Sequence, residues 1–487
     1  MRDPVSATRR PRRRDTVLLV AIIAIGASLR LLHLGAPSFW VDEALSLEFA
    51  RLPWPQFVHL MQTRELNMLP YYLLLRGWIH LGTAEWIVRS LSAIFSIATL
   101  PLLYRLGVRL FGVRVGQIGV ALLALHPYHI RFAQEARGYS LMILLVTAST
   151  LLLVRATETS TRRPVGVWVA YIATSVLAVY AHFYAGFAII AQWATLAVAR
   201  PRGLAGSAVA LSAAAIGILL VPLAAFVLLG HADPAGWIAQ PTSRSVGFLV
   251  YSLLGGDKQA GARPLAYAAY AVVLIASGAA ARSAWTSHRR EPRAWHCALV
   301  IAGTSLPIIL VLAVSIVKPI FVDKYLMECL PFTVLLLAVG LDRLRPRALS
   351  LGMSILILAL SVSGVFGYYR RPDKADWRAA TRYLLGAARS GDAALFFPRY
   401  TFAPFRYYRA SLDTSANSVD VVYPGALGDG NVADALSQLE HRDGRLWAVF
   451  NQDGDSGSAV RDSLLRRFPV VSDSQFTGVR IVLYDIR

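Results

Sequence analysis

Val17-Leu18-Leu19-Val20-Ala21-Ile22-Ile23-Ala24-Ile25-Gly26-Ala27-Ser28-Leu29-Arg30-Leu31-Leu32-His33-Leu34 decides the fold, because it reads almost uninterrupted as an apolar run. A bilayer core needs about 20 such residues to be crossed by a helix. The chain leaves this run through Gly35-Ala36-Pro37 and then presents Phe39-Trp40-Val41-Asp42-Glu43-Ala44. Two adjacent acids behind two aromatics at a membrane boundary have two readings. Trp40 can be an interfacial anchor with the acids merely facing water. Alternatively, the acids are functional, as ionisable residues near membrane depth often are.

The rest of the chain repeats the opening pattern. Of 487 residues, 56% are hydrophobic and 16% charged, against about 25% charged in ordinary globular chains. The apolar residues fall in runs near 17–34, 86–104, 115–129, 140–154, 166–181, 184–199, 207–229, 264–282, 295–317, 325–341 and 349–367. This predicts a polytopic α-helical membrane protein of about 11 transmembrane helices. The net charge of +20 is placed in short loops: the arm with Arg9, Arg10 and Arg12, then Arg105/Arg109/Arg114, Arg155/Arg162/Arg163, Arg200/Arg202, Arg282/Arg289/Arg290/Arg293 and Arg343/Arg345/Arg347. That alternation sets topology rather than binding nucleic acid. It predicts a cytoplasmic basic arm (1–15), a membrane domain (16–370) with an outer loop at 35–85, and an extracytoplasmic segment at 371–487. The protein is expected in the plasma (inner) membrane.

No small-residue cleavage site closes the first run, so it is read as a retained span and not a signal peptide. Cys297 and Cys329 lie in apolar stretches and read as core residues. Tyr71–Leu81 reads as an amphipathic interfacial helix, and 231–263 as a candidate cover loop. Residues 373–487 are more polar. Helical periodicity at Trp377–Arg389 and Asn431–Glu440 alternates with strand-like runs at Ala393–Phe397, Val419–Val422, Leu446–Phe450 and Val479–Tyr484. These predict a small C-terminal α/β domain.

The candidate chemistry lies in outer segments: Asp42-Glu43, then His126 to Tyr139, then His182-Phe183-Tyr184, then Lys318 to Tyr325. A carboxylate such as Asp42 can take a proton from a hydroxyl nucleophile. Lys324, Arg131 and Arg137 can meet the charge of a phosphate. Glu135 and His182 can join Glu43 around a divalent cation. Each has a plain alternative: Arg131 snorkelling to headgroups, Glu135 pairing with Arg137, or His182 satisfied at a helix end.

The order of these residues resembles the bacterial GT-C membrane glycosyltransferases of the protein O-mannosyltransferase and aminoarabinose-transferase type. The resemblance rests on Trp40-x-Asp42-Glu43, Asn67-Met68 followed by Tyr71-Tyr72-Leu73-Leu74-Leu75, Glu85 with Arg89, Gln134-Glu135-x-Arg137-x-Tyr139, and Lys324-Tyr325. It implies an inverting transfer of one sugar from a polyprenyl-phosphate donor to an acceptor hydroxyl of an envelope glycan, lipid or protein. Asp42 would be the base, and Glu43 and Glu135 would orient the acceptor or hold a cation. Lys324 and Arg137 would grip the phosphate, with Tyr139, His182, Tyr325, Asn67 and Tyr71 around the substrate. Metal use varies within this fold and stays open. The sequence departs from the family in having Asn67-Met68-Leu69-Pro70 in place of His-Pro-Pro, and Lys324 where arginine is frequent. Lysine lacks the bidentate fork. A flippase for a lipid-linked glycan is the rival reading, but it favours ionisable residues within spans.

Overall fold

The computed structural model describes residues 13–158, 165–199, 201, 204, 206–229, 236–256, 263–287, 292–370, 374–412, 419–422, 444–451 and 456–486. The chain divides into two compact units. One comprises Met1–Leu32, Pro53–Trp78 and Arg89–Arg370; the other comprises His33–Leu52, Ile79–Val88 and Arg371–Arg487.

In the first unit every predicted apolar run falls on a helix. Among the described residues, six helices are long and apolar enough to cross a membrane: Glu85–Phe111, Tyr139–Thr157, Arg263–Thr286, Arg293–Ser315, Asp323–Arg343 and Arg347–Arg370. The bent pair Gly206–Leu219 and Val221–Leu229 makes up to seven. The expected eleven is therefore not reached by that measure. Val113–Ala124, Val165–Ala181 and Ala185–Ala199 are apolar but shorter, and the first helix, Arg13–Leu31, carries Arg14, Asp15 and Arg30. Tyr71–Leu81 is helical as expected, as Leu69–Trp78 with a 3-10 turn at Ile79–Leu81. Within the candidate cover loop at 231–263 the described residues hold the helix Ser243–Leu253, started by a Thr242/Ser245 capping box.

Several buried polar groups inside this unit are satisfied across helices, which suits a medium without water. Arg30 is fully buried. Its guanidinium donates to the Ala124 and Leu123 carbonyls at 2.9 Å each, and to Gly26 O at 2.7 Å. These include the last carbonyls of Val113–Ala124, which have no intrahelical partner. The same group donates to Ser96 Oγ at 2.8 Å and His129 Nδ1 at 2.7 Å. Gln192 accepts from Tyr171 OH at 3.0 Å and donates to Thr150 Oγ1 at 3.0 Å. Gly340 lets two helices meet: a Cβ there would stand 2.2 Å from the Val273 carbonyl oxygen.

The second unit contains a five-stranded sheet ordered β2-β1-β3-β5-β4, built from β1 (Ala393–Phe397), β2 (Asp420–Val422), β3 (Arg445–Asn451), β4 (Val470–Phe476) and β5 (Val479–Asp485). β1 is parallel to β2 and β3, while β5 is antiparallel to β3 and β4. All five residues of β1 are buried, as the continuous run Ala-Ala-Leu-Phe-Phe demands of a strand covered on both faces. The helix Trp377–Ala387 starts at Asp376, whose side chain accepts from Ala379 N at 3.1 Å. β4 was not expected from sequence: it is an edge strand with Val470 and Val471 exposed, so its pattern is not that of a buried strand. The expected helix at Asn431–Glu440 lies outside the described residues.

Candidate active site

In the helical unit seven of the predicted site residues form one connected cluster. Asn67 Oδ1 accepts from Phe183 N at 3.2 Å, joining the Asn67-Met68 turn to the His182 turn. Met68 adopts a left-handed backbone (φ 68°), uncommon for a residue with a side chain. Gly138 makes room for it, since a Cβ there would lie 3.1 Å from Met68 Cγ and 3.0 Å from Ala181 O. Tyr71 OH bonds Ser92 Oγ at 3.0 Å, and Ser92 Oγ bonds the Arg137 carbonyl at 3.2 Å. Arg137 Nη1 donates to Tyr72 OH at 3.0 Å.

Next to Arg137 the rings of Tyr139, His182 and Tyr325 pack together, with centroids 5.7 Å apart for Tyr139–His182 and 4.7 Å for His182–Tyr325. Lys324 Nζ lies 5.8 Å from the Tyr139 ring and 6.0 Å from that of Tyr325, within cation–π range. Tyr184 lies 5.2 Å from Tyr325, and its hydroxyl donates to the Ile320 carbonyl.

His182 is buried. Burial first, then the charges of Arg137 and Lys324, pull its pKa down to about 3, so the ring is neutral at neutral pH. Its Nδ1 accepts from Tyr184 N at 3.4 Å. With Nδ1 as the acceptor, Nε2 is the donor, and among the described residues this buried atom has no hydrogen-bond partner. Two half-buried cations and a neutral N–H donor suit an anion with several oxygens. Glu135 is buried too; it lies near enough to Tyr128 and Tyr368 to act on them electrostatically. Gln134 is a structural knot, donating to the Leu32 carbonyl at 2.7 Å and accepting from Tyr368 OH at 3.0 Å.

Asp42 and Glu43 belong to the second unit, in the first turn of the helix Val41–Arg51, which the sequence reading left as loop. Acids suit that turn because a helix N-terminus carries partial positive charge. Asp42 is half-buried and Glu43 fully buried. Glu43 meets Lys374 Nζ, which lies 3.3 Å from each carboxylate oxygen. Ser38 Oγ donates to Ala375 O at 2.7 Å and accepts from Trp377 N at 3.0 Å. Tyr408 OH accepts from Phe39 N at 2.6 Å and donates to Glu85 Oε1 at 2.9 Å; Arg378 Nη2 donates to the same oxygen at 2.6 Å. Lys374, Arg378 and Tyr408 were not picked out from sequence. No local motif marks them; only their convergence on 33–52 and 79–88 does. Among the described residues no three His, Cys, Asp or Glu side chains are grouped so as to hold a metal ion, and the expected set of Glu43, Glu135 and His182 is not such a group.

Comparison with known proteins agrees with the fold. Residues 69–226 match the sequence model of the dolichyl-phosphate-mannose-protein mannosyltransferase family. No curated protein sequence matches the chain. Among solved structures, ArnT from Cupriavidus metallidurans in the apo state is similar at 13% identity and a TM-score of 0.62, over 96% of this chain and 98% of that one. The same protein bound to undecaprenyl phosphate gives 13% identity and 0.63, over the same shares. Archaeal oligosaccharyltransferase AglB from Archaeoglobus fulgidus, in complex with an inhibitory peptide and a dolichol-phosphate, gives 10% and 0.53, over 96% of this chain and 74% of that one. The chain is thus a polytopic helical membrane protein with the GT-C fold.

Proposed function

We propose that the protein is a glycosyltransferase that moves one sugar, with inversion, from a polyprenyl-phosphate-linked donor to an acceptor hydroxyl. The acceptor is an envelope glycan, lipid or protein, and the reaction takes place at the outer face of the plasma membrane. The N-terminus is cytoplasmic and residues 371–487 are outside. Asp42 takes the hydroxyl proton as the acceptor oxygen bonds to the anomeric carbon. The bond from that carbon to the phosphate oxygen breaks, and polyprenyl phosphate leaves with both electrons. Lys324 and Arg137 meet its charge, and His182 Nε2–H donates to one of its oxygens. Tyr139, Tyr325, Asn67 and Tyr71 hold this cluster in shape. Glu135 orients the acceptor.

The observation that carries the reading is the cluster of half-buried Lys324 and Arg137 with buried His182, whose Nε2 has no hydrogen-bond partner among the described residues. ArnT and AglB, which share the fold, have been seen with polyprenyl phosphates, and this supports a lipid-phosphate donor here. The test is transfer by the purified full-length protein from a polyprenyl-phosphate sugar and, separately, from a nucleotide sugar. Transfer from the lipid donor alone is expected. Transfer from the nucleotide sugar alone would overturn the proposal.

A further inference from the structure

Removing a carboxylate from water without a counter-charge costs several kcal/mol by general estimates, so the partner of a buried acid identifies its job. The Glu43 side chain has no exposed surface and that of Lys374 is 6% exposed. The ammonium is equidistant, at 3.3 Å, from the two carboxylate oxygens. The two residues lie 331 positions apart in sequence, yet the geometry around them is redundant. Ser38, four residues before Asp42, bonds both Ala375 O and Trp377 N, which flank Lys374 on its C-terminal side. Phe39 N is tied to Tyr408 OH, and Arg406 pairs with Glu48 at 2.7 Å on the same helix as Glu43. The turn that carries Asp42 is therefore held by residues 374–408 at four points. A divalent cation seeking both oxygens of Glu43 would have to displace the ammonium already lying between them.

We infer that Lys374 is a positioning residue for transfer: its ammonium holds Glu43 ionised in place and so fixes the first helical turn, and with it the neighbouring Asp42. On this account Glu43 is a strut and neither an acceptor-binding group nor a metal ligand, and the C-terminal segment supplies part of the catalytic apparatus. The inference rests on the proposal that Asp42 is the base.

The experiment compares full-length wild type, Lys374→Met, Lys374→Arg, the double variant Glu43→Gln/Lys374→Met, and Asp42→Asn, all with a polyprenyl-phosphate sugar. Misplacing a reacting group by about 1 Å can cost up to ~100-fold. Lys374→Met should accordingly lower kcat at least ~10-fold while leaving the donor KM within about twofold. Its kcat should recover as pH rises, because a buried carboxylate that has lost its cation ionises only at higher pH. Lys374→Arg should restore kcat to within ~3-fold of wild type, since the charge is retained. Folded Lys374→Met with wild-type kcat and pH profile would overturn the inference, even with Asp42→Asn inactive. If Lys374→Met does not fold, the neutral double variant decides: a drop in kcat supports the strut, and wild-type kcat overturns it. Wild-type turnover by Asp42→Asn would instead overturn the base assignment beneath it.

Discussion

Arg30 and His182 are both buried in the helical unit, and the protein treats them in opposite ways. Arg30 donates to three carbonyls, a hydroxyl and an imidazole, and all of its partners are parts of the chain. His182 has one ring nitrogen engaged and the other, a donor, without a partner among the described residues. A charge inside a span is by default a functional candidate. The comparison separates two uses of a buried polar side chain: the fold itself saturates Arg30, while in the proposed reading the Nε2 donor of His182 is kept for the donor phosphate.

The largest effect expected from this contrast is on folding. Arg30→Met should cost about 3 kcal/mol or more, because the Ala124 carbonyl loses the guanidinium and the Leu123 carbonyl keeps only backbone donors. Thermal unfolding of the purified protein checks this; an unchanged midpoint would break the structural half of the comparison. Next in size is Lys324→Ala, which should raise the donor KM about tenfold or more and lower stability by less than about 1 kcal/mol, as its charge serves a ligand more than the fold. Steady-state kinetics against donor concentration decides, and unchanged donor kinetics would remove the phosphate role.

The last effect is a pH dependence, absent near neutral pH and developing only in acid. The folded pKa of His182 is depressed to about 3 from 6.5, so the unfolded chain binds this proton more readily. The contribution of neutral His182 is complete above about pH 6.5 and is lost as pH falls toward 3, at roughly 1 kcal/mol per pH unit. His182→Gln should lose less stability than wild type between pH 6 and 4, while its kcat/KM at pH 7 falls about tenfold. A parallel pH–stability curve would mean that His182 does not titrate on unfolding.

Much of the architecture was legible because a bilayer imposes length and polarity on each segment. The apolar runs fold as helices, those near 115–129, 207–229 and 325–341 each broken into two pieces, and the buried strand β1 announced itself by an unbroken apolar pentapeptide. The exposed edge strand β4 and the helix Val41–Arg51 did not, since neither has a one-sided apolar pattern of useful length. The cluster of Arg137, Tyr139, His182, Lys324 and Tyr325 was legible as a set of outer-loop polar residues. Arg30 is a charge within the first run, and nothing local marks the carbonyls that it reaches some 90 residues away. Lys374, Arg378 and Tyr408 were hidden for a plainer reason: they act on residues some 300 positions away, and no local spacing records such a pairing.

The central claim is that Asp42 is the base of a transfer from a lipid-phosphate donor. It is tested most directly by the single-turnover rate of Asp42→Asn, a nearly isosteric change, with saturating polyprenyl-phosphate sugar and acceptor. The account predicts a rate at least ~100-fold below wild type with donor binding retained. A rate equal to that of wild type would contradict it.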